Sequence, residues 1–350
     1  MSSVILEELI KSKTMKLKSV EEIIPQIRVV LRLDLDLPFF DNKIIDNSRL
    51  QKSLPTIRLL LEKKCKILII GHRGRPNGIE DEYTLRPVYL ELMSLLEPEG
   101  ESLIESVFMP EINFEQIDRA LAVNNLVFLE NIRFWPEEEN NTASFLAPLS
   151  GFCQAYVNDA FAVAHRAHAS ITLWQHLPSF YGLSFIEEYN HLDSLRNPSR
   201  PLTLILGGAK EDKLKHLDKL ISHCDHILIG GKLPQFLPLV DPKIIPAILT
   251  PDTFDINEES IAKFTEIINN SKTIIWAGAM GFYENENYRN GTEKIARAIA
   301  ATTAYKVVAG GDTSASVLNL NLKDKYDFFC SGGGVLLEFL VNPNLPAWSN

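Results

Sequence analysis

The chain contains 350 residues, of which 45% are hydrophobic and 23% are charged, and its formal net charge is −10 at pH 7. A chain of this length and ordinary composition favours two soluble domains. The acidic balance argues against general nucleic-acid binding, which needs a basic face, and no apolar run approaches the roughly 20 residues that span a bilayer. Residues 1–18 alternate acidic and basic side chains and carry no signal-peptide pattern.

The cysteines bear on the redox compartment. Cys65, Cys153, Cys224 and Cys330 are scattered and form no Cys-x-x-Cys pair, so neither a disulfide framework nor a zinc site is indicated. Three of them fall in or beside predicted strands, which fits buried, reduced thiols. We therefore expect a cytoplasmic protein.

Predicted strands and helices alternate through the first half. Apolar runs and periodicity predict strands over 27–33, 66–70, 126–129 and 155–158, and helices over 48–61 and 85–96. Asp46, Asn47 and Ser48 offer N-cap oxygens to the first helix, and Pro55 inside it should bend the helix or mark a late start. This alternation predicts an α/β fold built from parallel βαβ units.

Charged side chains follow the predicted strands of this half. The ends carry Asp34, Asp36, His72, Arg75, Arg133 and, in a stretch that sets an arginine between two histidines, Arg166. In a parallel sheet these ends share one edge, where ligands bind. Guanidinium groups gathered there suit a ligand with a phosphate and a carboxylate. A rim of solvated surface charges is the alternative.

The second half repeats the pattern with glycines. Predicted strands over 202–206, 226–229, 272–276, 306–309 and 327–330 run into glycine-rich turns at 207–210, 230–232, 277–281, 310–313 and 331–334. The spacing is not that of a Walker A loop, but glycines let backbone N–H groups approach a phosphate, and helix N-termini add positive potential. Glycines that only close tight turns are the alternative.

Three charged residues of these turns suggest chemistry. Lys210 and Lys213 open a predicted helix, where a lysine opposes the helix dipole, so a ligand explains them better than solvation does. Asp312 is suited to hold Mg²⁺ on a nucleotide phosphate, and it can also be a helix N-cap. An arginine-rich site and a glycine-rich, metal-compatible site together suit phosphoryl transfer between a small acidic metabolite and a nucleotide.

Long motifs in the same order resemble those of the phosphoglycerate kinase family. In the first half they are Leu-Arg-Leu-Asp-Leu-Asp-Leu-Pro at 31–38, Ile-Asp-Asn-Ser-Arg at 45–49, and the segments 71–76, 129–134 and 157–170. In the second half they are the segments 207–210, 276–284, 310–313 and 331–334. Together these segments extend over most of the chain.

The resemblance implies two Rossmann-like domains, each a mainly parallel sheet flanked by helices, joined by a hinge helix. We expect an acid-substrate domain over 1–175, the hinge helix over 176–195, a nucleotide domain over 196–330, and a segment over 331–350 that returns toward the first domain. The implied reaction is reversible, Mg²⁺-dependent phosphoryl transfer between 1,3-bisphosphoglycerate and ADP, giving 3-phosphoglycerate and ATP, as in glycolysis and gluconeogenesis. The implied protein is a monomer that binds small molecules, with neither nucleic acid nor a membrane as partner.

The resemblance also implies site residues. The 3-phosphoglycerate site would comprise Asp34, Leu35, Asp36, Arg49, His72, Arg73, Gly74, Arg75, Arg133 and Arg166. Catalysis would fall to Arg49, Lys210, Gly333 and Gly334. ATP or ADP would contact Gly208, Ala209, Lys210, Lys213, Gly231, Glu284, Gly310, Gly311, Asp312 and Thr313, with Asp312 as the metal ligand.

Departures from the family pattern concentrate in the nucleotide half. Lys213 lies one residue too close to Lys210, a shift of about 100° on a helix. The family's Trp-Asn-Gly-Pro-Met-Gly has become 276–281, and Lys232 and Ala309 replace glycines. The chain between Phe236 and Asp255 is short by some tens of residues, and the resemblance implies that the missing piece would hold a helix and a strand of the nucleotide domain. In the first half, Asp36 replaces an asparagine.

These departures leave three interpretations. The first is an active phosphoglycerate kinase, with reduced activity if the shortened domain is impaired. The second is a non-catalytic relative that binds 3-phosphoglycerate in a regulatory or binding role. The third, a kinase for another acidic metabolite, agrees less well with the matching arginine positions.

Overall fold

The computed structural model describes residues 17–97, 104–342 and 344–348, so most of the signal-peptide prediction for 1–18 lies outside the described residues. The chain forms two compact units. The first contains the residues up to Asp159 together with Leu173–Asp193, and the second contains Ala160–Thr172 and the chain from Ser194 onward. None of the helices within the described ranges has the length and apolar character needed to cross a membrane.

The first unit is a parallel sheet with helices between its strands. Its elements are β1 (Arg28–Leu33), β2 (Phe39–Phe40), β3 (Lys43–Ile44), α1 (Ser48–Glu62), β4 (Lys66–Ile70), α2 (Arg86–Leu96), β5 (Ser106–Met109), α3 (Phe114–Val123), β6 (Leu126–Leu129), α4 (Pro136–Glu139), β7 (Ala155–Asp159), β8 (Ser179–Tyr181) and α5 (Leu183–Ser194). The strand order is β5-β6-β4-β1-β7-β8, and every pair is parallel. Apolar clusters cover both faces of this sheet, which explains the continuous apolar runs in β4 and β6.

Three local features of this unit refine the sequence-based expectations. The helix α1 already begins at Ser48, so Pro55 does not mark a late start. Leu50 before Pro55 and Ile57 after it are both buried. The strands β5 and β8 were not predicted, because both are short edge strands with half-buried side chains and no long apolar run. Within the predicted hinge segment, 176–195, the structure has the helix α5.

The second unit is also a parallel α/β sheet. Its elements are β9 (Leu202–Leu206), α6 (Leu217–His223), β10 (His226–Ile229), β11 (Ile244–Pro246), α7 (Glu258–Asn270), β12 (Thr273–Ala277), α8 (Asn290–Ala301), β13 (Tyr305–Ala309), α9 (Gly311–Asn319), β14 (Phe328–Cys330) and α10 (Gly333–Val341). The strand order is β11-β10-β9-β12-β13-β14, and every pair is parallel. The predicted α/β class with two mainly parallel sheets is confirmed.

The connection from β10 to β11 lacks the usual crossover helix. Adjacent parallel strands are normally joined by a crossover that contains an α-helix. Here the connection has a single 3₁₀ turn, Leu233–Phe236, followed by a loop in which Val240 is fully exposed. The expectation that a strand is also missing here is wrong, because the short strand β11 pairs with β10 at the sheet edge. The chain is therefore shortened at this crossover.

Candidate active site

One cavity of the second unit brings the glycine-rich turns together. It has a volume of about 550 Å³ and lies at the carboxyl ends of β9, β10, β12 and β13. Its lining contains each residue that the sequence assigned to the nucleotide: Gly208, Ala209, Lys210, Lys213, Gly231, Glu284, Gly310, Gly311, Asp312 and Thr313. Gly333 and Gly334, assigned to catalysis, line the same cavity. Parallel strands bring these distant segments to one edge, as the sequence pattern predicted.

Some glycines of the cavity are required by the close packing of the turns. Gly278 has φ +117°, and a Cβ there would lie 2.1 Å from the carbonyl oxygen of Gly207. Gly231 has φ +58°, and its Cβ would lie 2.4 Å from the backbone nitrogen of Gly208. At these positions glycine serves turn geometry, which was one of the two alternatives for the pattern.

Other glycines are open to the cavity. A Cβ on Gly311 would meet nothing within 4 Å, and a Cβ on Gly333 would meet only backbone atoms of Ala309, at 3.7 Å and beyond. Gly311 and Gly333 begin the helices α9 and α10, whose first-turn N–H groups have no partner within their own helix. Two helix N-termini therefore line the cavity, an arrangement suited to an anion.

The Lys213 ammonium group lies against the carboxyl ends of β9 and β12. Its Nζ donates to the carbonyl oxygens of Gly207, at 2.8 Å, and Ala277, at 3.2 Å. Burial lowers the pKa of Lys213, although nearby Asp312 and Asp212 act in the opposite direction. The segment Glu211–Leu214 is a 3₁₀ helix, so the one-residue shift inferred for an α-helix does not turn Lys213 away from the cavity.

Lys210, Glu284 and Asp312 are exposed charged residues of the cavity, whereas Thr313 is buried. The Thr313 hydroxyl accepts a hydrogen bond from the backbone N–H of Gly278 at 2.7 Å, so its side chain ties α9 to the β12 turn. Asp312 lies in the first turn of α9, where a carboxylate is favourable. No group of three or more acidic, histidine or cysteine side chains suited to a metal occurs in the part of the chain that the structure describes.

The first unit contains the predicted acid-site residues except Arg166, and all of these except Arg49 follow the ends of β1, β4 and β6. Arg49 donates through Nη1 to both carboxylate oxygens of Asp34, at 3.0 and 2.9 Å. The adjacent Asp34 raises the pKa of Arg49, against the effect of burial, and Asp36 adds to the increase. Asp36 accepts a hydrogen bond from the backbone N–H of Gly74 at 2.8 Å.

A buried arginine that sequence reasoning missed fixes the histidine of this site. Arg32 is 1% exposed and donates through Nη2 to Nδ1 of His72 at 2.9 Å. Because a guanidinium stays protonated and can only donate, Nδ1 must accept, and the proton of a neutral His72 lies on Nε2. That Nε2 lies 3.9 Å from a carboxylate oxygen of Asp36. The signal that could have identified the contact with His72 is an arginine inside an otherwise apolar strand.

The remaining predicted residues of the first unit differ in exposure. Arg75 is exposed, while Arg133 is buried, donates to the carbonyl oxygen of Gly74 at 2.6 Å and lies 3.1 Å from Glu139. Arg73 stacks 3.3 Å from the centroid of the Phe39 ring and donates to the Thr84 carbonyl oxygen. Burial lowers the pKa of Arg73. Leu35 is fully buried beneath Gly71. Arg73 and Leu35 thus have packing roles in this structure.

Arg166 lies in the second unit, apart from the other predicted acid-site residues in sequence and in unit assignment. Its neighbour His165 is in contact range of Gly334, at the start of α10. Burial, together with the smaller effect of Arg166, lowers the pKa of His165 to about 4, although Glu338 acts in the opposite direction. Farther along, the backbone N–H of Ala347 donates to the Ala164 carbonyl oxygen, so the end of the chain packs on the segment that carries Arg166.

Comparisons with known proteins agree with one family. A family model described as phosphoglycerate kinase matches residues 21–240 and 240–342. Phosphoglycerate kinases from Thermomicrobium roseum and Leptospira biflexa are 32% and 34% identical, with 91% of this chain and 95% and 94% of the relatives covered. A cytosolic phosphoglycerate kinase from Triticum aestivum is 32% identical, again over 91% of this chain and 94% of its own length.

Solved structures agree as well. Phosphoglycerate kinase from Pyrococcus horikoshii has a TM-score of 0.80 at 25% identity, with 95% of this chain and 97% of that chain covered. The enzyme from Coxiella burnetii has a TM-score of 0.72 at 26% identity, with 95% and 98% covered.

The comparisons also bear on the shortened crossover. The two matches of the family model meet at residue 240, within the loop that replaces the crossover helix. The alignment with the Thermomicrobium roseum protein extends over 374 positions, more than the 350 residues of this chain, so the relative carries residues that this chain lacks. Most of the sequence and both sheets are nevertheless retained, and the chain belongs to the phosphoglycerate kinase family.

Proposed function

We propose that this chain catalyses reversible phosphoryl transfer between 1,3-bisphosphoglycerate and ADP, giving 3-phosphoglycerate and ATP. The observation that carries the proposal is one cavity lined by residues from all five glycine-rich turns and by two helix N-termini. Such a surface of donors and positive potential suits a nucleotide's phosphates. The first unit supplies the second requirement, a cluster of guanidinium groups for a small phosphorylated acid.

The proposed nucleotide roles follow from exposure and contacts. Lys210 is exposed at the cavity and would neutralise the transferring phosphoryl group, aided by the backbone N–H groups of Gly333 and Gly334. Lys213, fixed by two carbonyl oxygens, would contribute a fixed positive charge to the phosphates. Glu284, exposed at the cavity, would contact the ribose.

The residues present fit a magnesium ion that arrives with the nucleotide. Mg²⁺ is usually held by one or two carboxylates together with substrate phosphates rather than by a complete protein cage. Asp312 is an exposed carboxylate on the cavity lining, which meets that requirement. The ion would supply charge neutralisation between the phosphates.

The proposed acid site centres on Arg49. Its pairing with Asp34 orients the guanidinium before substrate binds, at the cost of one opposing negative charge. His72, Arg75, Arg133 and Arg166 would bind the carboxylate and phosphate of 3-phosphoglycerate. Within this site, His72 acts as a neutral donor because Arg32 fixes its tautomer. Phosphoryl transfer needs little covalent chemistry from the protein, so positioning and charge neutralisation account for the catalysis.

The alternative, a relative that binds 3-phosphoglycerate without turnover, is favoured by the missing crossover helix between β10 and β11. A coupled assay with 3-phosphoglycerate and Mg-ATP separates the two functions. The proposal expects turnover that is lost in Lys210→Ala, with Lys219→Ala, an exposed lysine outside the cavity, as the matched control. Calorimetry should show 3-phosphoglycerate binding that is lost in Arg166→Ala. Binding without turnover would establish the alternative.

We further propose that residues 1–175 form the acid-substrate domain and that residues 176–195 contain the hinge helix. Residues 196–330 would form the nucleotide domain, and the segment 331–350 would return toward the first domain. Only small molecules would be partners, and the acidic net charge of −10 supports the exclusion of nucleic acid. The cytosolic relative from wheat supports a cytoplasmic location. The expected monomer can be checked by light scattering on the purified protein.

A further inference from the structure

One part of the nucleotide cavity has an aromatic wall. Phe254 and Phe282 both line the cavity, and they remain 38% and 50% exposed. Their ring centroids are 6.4 Å apart, and the backbone N–H of Phe282 donates to the Phe254 carbonyl oxygen at 2.8 Å. Tyr288 packs on Phe254 with a centroid distance of 4.9 Å, which supports the position of that ring. Two aromatic rings that line a cavity, one of them supported by Tyr288, form a stacking surface for a planar group.

The strand order separates this wall from the phosphate-binding helix ends. Phe254 follows β11, and Lys232 follows β10, at one side of the sheet. The helices α9 and α10 follow β13 and β14, at the other side. From β10 to β13 is three strand spacings, or about 14 Å. If the phosphates lie at the helix N-termini, the aromatic wall is where the nucleobase lies.

Lys232 adds a specific polar group to this wall. Its Nζ lies 5.0 Å from the centroid of the Phe254 ring, and the residue lines the cavity. Its backbone N–H donates to the Gly208 carbonyl oxygen at 2.9 Å, so the base of the side chain is also fixed. The contact with the ring face keeps the ammonium group beside the stacking surface. An ammonium group donates hydrogen bonds and accepts none.

Purine bases differ in what they present to such a donor. Guanine presents two adjacent acceptors, O6 and N7, whereas adenine presents N7 beside an amino group that is itself a donor. Lysine therefore pairs better with a purine that carries a 6-oxo group. We propose that the nucleobase stacks on Phe254 and Phe282 and that Lys232 makes this site use 6-oxopurine nucleotides, such as GDP and GTP, at least as well as ADP and ATP. This inference rests on the proposed nucleotide site and specifies its base preference.

The test compares nucleotides that differ at the purine 6 position. Calorimetry with ADP, GDP and IDP, with Mg²⁺ present, measures binding without requiring turnover. IDP has the 6-oxo group but lacks the 2-amino group of guanine, so it isolates the group that Lys232 would recognise. The coupled assay with ATP, GTP and ITP then gives the ratios of kcat/KM. The variants are Lys232→Met, which keeps an aliphatic chain over Phe254, Phe254→Leu, and Lys219→Met as the control outside the cavity.

We expect GDP and IDP to bind wild-type protein at least as tightly as ADP. In Lys232→Met the ratio of GDP to ADP affinity should fall at least about tenfold, the effect of losing a charged hydrogen bond. Phe254→Leu should weaken the binding of all three nucleotides, because it removes part of the stacking surface. A wild-type preference for ADP over both GDP and IDP, or an unchanged ratio in Lys232→Met, would overturn the inference. Absence of turnover with every nucleotide would instead overturn the proposed function, while the binding ratios would still decide the base preference.

Discussion

Arg49 and Asp34 form a two-contact ion pair in which one guanidinium nitrogen reaches both carboxylate oxygens, at 3.0 and 2.9 Å. Arg49 projects from α1, and Asp34 follows the end of β1. The pair therefore fixes a side chain of the helix against the sheet edge at which parallel α/β proteins bind ligands. Since the proposed role of Arg49 is to neutralise a phosphoryl group, its orientation before binding is part of the mechanism.

Replacing Arg49 tests that role. Arg49→Ala should lower kcat by about 10²- to 10³-fold, the usual effect of removing one group that stabilises charge in the transition state. Arg49→Lys should restore little, because an ammonium cannot reproduce the planar guanidinium contacts. Steady-state kinetics with Arg58→Ala as control, an exposed arginine on the same helix, would measure both effects. Equal losses in the Arg49 and Arg58 variants would contradict the assignment.

Replacing Asp36 should strengthen substrate binding, whereas replacing Arg49 should weaken catalysis. Asp36→Asn keeps an oxygen that can accept from the Gly74 N–H, but it removes a negative charge from the proposed site of an anionic substrate. The KM for 3-phosphoglycerate should therefore fall, by about three- to tenfold at low salt, with a smaller effect at high salt. Kinetics at two ionic strengths measure this. Asp41→Asn, at an exposed position with φ +48° that asparagine also tolerates, is the control. An increased KM would show that the Asp36 charge contributes to binding.

Buried Arg32 should affect both the stability of the folded protein and the tautomer of His72. Arg32→Met removes a fully buried donor to His72 and should lower the free energy of unfolding by about 2–4 kcal/mol. Denaturant unfolding would measure the loss. The control is Arg119→Met, which removes an exposed ion pair with Glu115 and should cost less than about 1 kcal/mol. Nitrogen chemical shifts of His72 in the wild-type protein should report a proton on Nε2, and a proton on Nδ1 would contradict the assignment.

We expect His165 to make the folded protein less stable as the pH falls. The residue is partly buried, its buried Nδ1 has no hydrogen-bond partner among the described residues, and burial is the main cause that lowers its pKa from 6.5 to about 4. A depressed pKa gives stability that is fully present above pH 6.5 and is lost as the pH falls toward 4, by about 3 kcal/mol in total. Unfolding measured from pH 7 to 4 should show a shallower decline in His165→Leu than in wild type. His176→Leu, which removes an exposed histidine, should leave the wild-type slope unchanged.

The sequence was sufficient for the features that depend on local pattern and sheet topology. Glycine turns such as 207–210 and 310–313 are far apart in sequence, yet both were assigned to one site because parallel strands end at a common edge. The buried strands of both sheets could be predicted because a strand buried on both faces forms a largely apolar run in the sequence. The short edge strand β5 escaped because its side chains are only half buried.

Pairings between distant side chains could not be predicted. Arg32 and His72 are 40 residues apart, and only folding shows that the arginine turns inward to the histidine. Arg73 was assigned to substrate by its motif, but in the structure its guanidinium stacks on Phe39. The aromatic wall depends on a backbone contact between Phe254 and Phe282, which belong to different loops. Such contacts depend on tertiary geometry that no local period encodes.

The proposed function assigns neutralisation of the transferring phosphoryl group to both Arg49 and Lys210. A double-mutant cycle on kcat tests it most directly, using wild type, Arg49→Ala, Lys210→Ala and the double variant in the coupled assay. Groups that stabilise one transition state show strongly non-additive losses, whereas independent groups show losses that multiply. We predict a double variant that is far less impaired than the product of the two single losses. A double variant whose loss equals that product would contradict the claim.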